Sequence, residues 1–151
     1  MTEGRFEIDI HIDREPKDVL ALISNYNLHT AIHPLILSVE QIDTPPGAIG
    51  RYLITDQLQL GPLRFKIVYR ADILRVTSRE VYTEAYQSPG THISNLTQVN
   101  PEPGGSRLKE TITLRAPGLL FGYAFSQAQN AHKEMLERIK RYLEKQALTQ
   151  A

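Results

Sequence analysis

The chain contains no cysteine and no tryptophan. Without cysteine there is no disulfide, no thiolate nucleophile and no Cys-ligated zinc or iron–sulfur site. Excess charge is missing as well: 17 Lys and Arg are balanced by 17 Asp and Glu. That balance removes both the basic footprint expected of a nucleic-acid binder and the acidic tail that would read a basic partner. No apolar run approaches the roughly 20 residues needed to span a bilayer, so no integral membrane segment is expected. GxSxG, the Walker loop, the dinucleotide fingerprint and HExxH are all absent, and with them the commonest signatures of hydrolase, nucleotide and zinc-protease chemistry. The opening MTEGRFEIDI has no basic cap followed by an apolar core, from which a cytoplasmic location is expected. Neither a cofactor nor a metal is expected, and the oligomeric state is read as monomer or weak homodimer.

What the chain does have is length and pattern. Its 151 residues are enough for one domain, 1–151, burying about two-thirds of its unfolded surface. Residues 5–13, RFEIDIHID, alternate strictly, with Phe6, Ile8, Ile10 and Ile12 on one side; this predicts a strand with one dry face. Glu15-Pro16 opens a helix carrying Val19, Leu20, Leu22 and Ile23, proline being well placed in a first turn. NYNLHTAIHPL predicts a short second helix ended at Pro34, residues 35–43 are extended, and TPPGAIG is a turn cluster. A meander follows. A hairpin at Gly61-Pro62 sets Leu58 opposite Phe65, Asp56 opposite Ile67 and Ile54 opposite Tyr69. Strands 79–87 and 91–99 join through Ser88-Pro89-Gly90, and strand 107–116 is reached through PEPGGS. Pairing Val99 with Leu108 puts Thr97 opposite Glu110, Asn95 opposite Ile112 and Ile93 opposite Leu114. The same register turns Val81, Thr83 and Ala85 inward, although Tyr82 and Tyr86 offer an equally apolar face, and the choice between them is open.

The last stretch, from Gly118 onward, reads as one long helix. Leu120, Ala124, Ala128, Ala131, Met135, Ile139 and Tyr142 recur at three- and four-residue steps and share a face. Lys133, Glu137, Lys140, Arg141, Glu144 and Lys145 form the wet side, with i,i+4 pairing rather than a basic stripe. The apolar face is alanine-rich in its first half and bulky in its second. A helix that fits closely at one end and leaves space at the other predicts a cavity, with Met135, Ile139 and Tyr142 as the anchor and Ala124, Ala128 and Ala131 as a low wall. Segregated strands and helices mean an α+β fold.

This layout resembles the START-like, or SRPBCC, superfamily, whose helix-grip fold is typified by the birch-pollen allergen. The likeness covers essentially the whole chain. It is carried by the alternating first strand running straight into the Glu15-Pro16 helix, and by GGSRLKETITLRAPGLL, where Gly104-Gly105, Glu110 and Pro117 occupy the hairpin, mid-strand acid and pre-helix proline of many bacterial, polyketide cyclase/dehydratase-like members. The resemblance implies a curved antiparallel sheet of six to seven strands wrapped around the C-terminal helix, with two short helices after strand 1. It also implies a deep pocket that takes a hydrophobic or aromatic small molecule.

Asp56 and Glu110 fall on the inward parity of otherwise apolar strands, where an unpaired carboxylate costs several kcal/mol. They are read as catalytic candidates facing a polar part of the cavity, or else as structurally paired acids. Tyr52, Asp56, Tyr69, Thr83, Asn95, Thr97 and Glu110 on the sheet, Ala124 and Ala128 on the helix, and His33 near the mouth are the candidate ligand-binding set, apolar overall with a few polar groups, as small-molecule sites are. Good strand formers with satisfied hydroxyls are the plainer account of the tyrosines and threonines. His29 and His33, four apart, have the spacing of a metal pair but no third ligand pattern. His92 and His132 are expected at the surface, and His11 on the wet side of the first strand. Leu119, Leu120, Phe121, Tyr123 and Phe125 form a dense apolar patch, either core or a contact at the pocket mouth. Three functions remain open: a carrier or sensor of a small hydrophobic molecule, a cyclase, aromatase or dehydratase-type enzyme using a cavity carboxylate, and an interaction module resembling chaperone activators of the same fold. The last requires a filled core.

Overall fold

A computed structural model of the chain describes residues 1–33, 35–60, 62–88 and 90–150, with the backbone alone for 58–60 and 147–150. Seven strands and three helical elements follow the expected order: β1 (Thr2–Ile12), α1 (Pro16–Ile23), a 3-10 helix (Tyr26–Ala31), β2 (Ile36–Ile42), β3 (Gly50–Leu60), β4 (Leu63–Val76), β5 (Glu80–Gln87), β6 (Thr91–Glu102), β7 (Gly105–Ala116) and α2 (Gly118–Gln150). The strands form one antiparallel sheet in the order β1-β7-β6-β5-β4-β3-β2. Short turns force the meander from β2 to β7, and the first strand closes the order by pairing with the last, Phe6 opposite Ile112 and Ile8 opposite Glu110. Bulges between Ile36 and Ser38 in β2 and between Ile73 and Arg75 in β4 add the local bending that lets such a sheet curve.

The β3–β4 and β6–β7 registers are those the alternation predicts, with Asp56 opposite Ile67 and Thr97 opposite Glu110. The open choice on β5 resolves toward Val81, Thr83 and Ala85, which sit opposite Thr97, Asn95 and Ile93. Tyr82 and Tyr86 take the outer face under the guanidinium groups of Arg75 and Arg70. The expected helix terminus at Pro34 and the turn residues Gly61 and Pro89 lie outside the described residues.

Two helical details differ from expectation. The segment after α1 is a 3-10 helix closed by Leu28 N donating to Asn25 O and Ile32 N to His29 O. Asn25 caps it through its side chain, accepting from Asn27 N at 3.1 Å. His33 lies just beyond this helix, its N–H donating to His29 O at 2.8 Å in a single α-turn. On α2 the bulky anchor is Met135, Leu136, Ile139 and Leu143, with Tyr142 only half-buried beside it. Two neighbouring columns of the helix are buried, where a single stripe was expected, because α2 settles into the angle between β1 and β7, its principal partners.

The β6–β7 hairpin is tied to the start of the molecule by Gly105. A Cβ there would stand 2.1 Å from the Ile12 carbonyl oxygen, and its φ is +153°, so only glycine lets the chain leave β1 so close to the hairpin. Ser106, fully buried, donates to Arg14 O at 2.6 Å across the same junction.

Candidate functional site

Because α2 leans on β1 and β7, it stands away from β3, β4 and β5, and the sheet's curvature encloses the space between. The result is a cavity of about 690 Å³. Its sheet side carries Ile54, Ile67, Ala71, Ala85, Ile93 and Leu114, its helix side Ala124, Ala128, Ala131 and Met135. Small residues on the helix make room, and branched residues on the sheet make the wall apolar. Leu120, Tyr123 and Phe65 also line it and are partly exposed. The apolar patch at the start of α2 is thus divided: Phe121 and Phe125 stack on one another at 5.2 Å and pack with Phe6 against Leu114 and Ala116, while Leu119 points fully outward.

The polar groups are few and placed by strand parity. Asp56, in mid-β3, is 9% exposed, and its Oδ1 is buried with no hydrogen-bond partner among the described residues. The hydroxyl of Tyr69, one diagonal step away on β4, lies near the same carboxyl and favours its ionised form. Burial pushes the Asp56 carboxyl up to about 6, against the opposing pull of Tyr69 and of His132. Burial, then the charge of Asp56, holds the Tyr69 phenol well above its ordinary range. Burial raises the Tyr26 phenol to about 12, with Thr83 nearby opposing the rise. Gln87, Ser88, Thr91, Asn95 and Gln127 also contribute to the polar lining.

Glu110 does not reach the cavity wall. It is 1% exposed, in mid-β7, and its Oε2 accepts from His132 Nδ1 at 2.8 Å. His132, its side chain 15% exposed, does line the cavity. A carboxylate can only accept, so it fixes an imidazole proton on Nδ1. The expectation that His132 is a surface residue is therefore wrong. It lies one helical turn beyond Ala128, on the edge of the buried stripe, and that i,i+4 relation is the sequence signal that could have found it. The other histidines divide. His29 is buried, with its Nε2 2.9 Å from Ile23 O, and burial lowers it to about 4. His33 accepts from Leu35 N and sits edge-on to His132 at 6.0 Å; burial, with His132 and His29 nearby, holds it well below the usual histidine range. Both line the cavity as neutral rings. His92, also expected at the surface, is half-buried and stacks on Tyr86. His11 stays on the outer side, between Glu102 and Asp13. Among the described residues no three ligand-type side chains converge on a metal position.

Of the sequence-predicted binding set, Asp56, Tyr69, Thr83, Asn95, Ala124, Ala128 and His33 meet around the cavity. Tyr52 and Thr97 do not. Tyr52 is packed edge-on to Tyr26 at 5.0 Å in the closed core. Thr97 is buried below the cavity floor, its hydroxyl 3.5 Å from Asn95 Oδ1. Tyr26, Gln127 and His132 are wall residues that sequence reasoning missed.

A family model described as "Polyketide cyclase / dehydrase and lipid transport" matches residues 3–144. No curated protein matches the chain. Among solved structures, the Zhui aromatase/cyclase from Streptomyces sp. R1128 superposes with a TM-score of 0.70 at 12% identity, covering 97% of this chain and 96% of that one. The di-domain ARO/CYC StfQ of the steffimycin biosynthetic pathway gives a TM-score of 0.78 at 12% identity over 96% of this chain, which spans 52% of that protein. Ara h 8.0201 gives 0.65 at 15% identity, covering 91% and 98% of the two chains. These likenesses share the fold.

Proposed function

The chain belongs to the polyketide cyclase/dehydrase and lipid transport family, and from that membership and its cavity we propose that it binds a hydrophobic or aromatic small molecule between the sheet and α2. The observation that carries the reading is the alanine-lined space itself. A helix with Ala124, Ala128 and Ala131 facing an apolar sheet gives up packing contacts, and lost contacts of this kind cost stability unless something else fills the space. A volume of about 690 Å³ lies in the range of small-molecule sites. An interaction module would call for a filled core at the same place. The test is a thermal-shift screen with flavonoids, sterols, fatty acids, quinones and aromatic polyketides. A true ligand at a hundred times its Kd stabilises by about 2.7 kcal/mol. A screen in which no class raises Tm would refute the proposal.

A second reading, an enzyme of the cyclase, aromatase or dehydratase type, draws on Glu110 and His132. A buried carboxylate orienting the imidazole of a cavity-lining histidine is an arrangement that serves general-base chemistry, and Asp56 supplies a second titratable group with its carboxyl raised to about 6. Conversion of a bound polyketone during incubation, lost in His132→Gln while binding persists, distinguishes the enzyme from the carrier.

A further inference from the structure

The polar groups of the cavity also say what kind of molecule it takes; this step rests on the binding reading above. Asp56 is the acidic group among them. Asp56 Oδ1 is buried in the wall without a donor, and a buried carboxylate oxygen left unpaired is costly. His132 is tied to Glu110 through its Nδ1. The groups that could supply positive charge are absent or neutralised. No Lys or Arg lines the cavity among the described residues. Arg138, close enough to act on His33, donates to Glu134 at 2.9 Å on the outer side of α2. His29 and His33 are held neutral by burial. A positive charge on His132 would be matched by Glu110 beside it.

We propose that the cavity selects a neutral apolar molecule bearing hydroxyl donors, alcohol or phenol, one of them given to Asp56, and rejects molecules whose polar end is a carboxylate or phosphate. An anionic headgroup would bring a second negative charge beside Asp56 in an apolar wall, with no cation to offset it. A hydroxyl instead gives the Asp56 carboxyl a donor from the cavity side. An apolar molecule without polar groups fills the space but offers the Asp56 carboxyl no donor, so its affinity falls between the two.

Three probes of one size test this by calorimetric titration: naphthalene, naphthalene-2,6-diol and 2-naphthoate. The expected order is diol tightest, then naphthalene, then naphthoate, with diol and naphthoate separated by about tenfold or more. Asp56→Asn is expected to narrow that separation, because the charge that discriminates between the two probes is removed. Naphthoate binding as tightly as the diol, or Asp56→Asn leaving the separation intact, overturns the selectivity and spares the binding reading. Failure of all three probes to bind overturns both.

Discussion

Replacing Asp56 by asparagine should make the protein more stable while weakening its site. Moving the carboxyl from 3.8 to about 6 on folding means that the folded state prefers the protonated acid. Above the folded value the ionised group works against folding, by about 1.36 kcal/mol for each unit of displacement. Two units give about 3 kcal/mol at neutral pH. Asparagine removes the charge but keeps a buried amide whose own desolvation takes back about 1–2 kcal/mol. A net gain of about 1–2 kcal/mol remains, which for a chain of this length is a Tm rise of about 2–8 °C. The sign reverses the usual carboxylate case. The penalty is full above the folded value, shrinks as pH falls through it, and vanishes below the unfolded value of 3.8. Urea unfolding of both proteins at about pH 7.5 and about pH 4.5 should show the advantage of Asp56→Asn shrinking by about 2 kcal/mol at the lower pH. An equal advantage at both pH values, or a variant less stable than the parent at the higher one, would show that Asp56 is not a desolvated, underpaired acid. A stabilising substitution at a binding residue is the pattern expected where a site is maintained against stability.

Two further expectations concern the frame around the site. His132→Ala leaves Glu110 buried without its partner and should cost about 3–5 kcal/mol, whereas the double variant Glu110→Gln/His132→Ala should recover more than about 1 kcal/mol of that loss; strictly additive single effects in urea unfolding would mean that the pair is not coupled. Gly105→Ala drives a methyl group into the Ile12 carbonyl 2.1 Å away and should destabilise by at least about 3 kcal/mol, read as a fall in the urea midpoint; a change under about 0.5 kcal/mol would refute the close approach.

Much of this architecture is legible in the sequence because short turns join antiparallel strands, and in such a meander one correct pair fixes the rest. Once Val99 faces Leu108, the side on which Glu110 lies follows. Parity reports a face, however, and not a depth along it. Tyr52 and Asp56 share the inner face of β3, yet Tyr52 closes the core against Tyr26 while Asp56 borders open space. The difference arises from where α2 and the 3-10 helix cover the sheet, which is decided by tertiary packing. Glu110 illustrates the same limit, since its inward position was readable and its partner was not. His132 stands beside an alanine stripe and reads as the first residue of the wet face until the helix is docked. The tilt of α2 toward β1 and β7, which buries Leu136 and Leu143 and opens the cavity, has no counterpart in local pattern.

Whether the space beneath the alanines of α2 holds a small apolar molecule is the decisive point. Its most direct test is the binding of N-phenyl-1-naphthylamine, a neutral probe whose emission rises on leaving water, to the parent and to Ala128→Phe, with Ala85→Phe on the opposite wall as a second filling variant. Overpacking at these positions costs about 1–3 kcal/mol, so folded protein should remain and circular dichroism should be unchanged. The account predicts saturable one-to-one binding to the parent and at least about tenfold weaker binding to both variants. Equal affinity in all three proteins would contradict it.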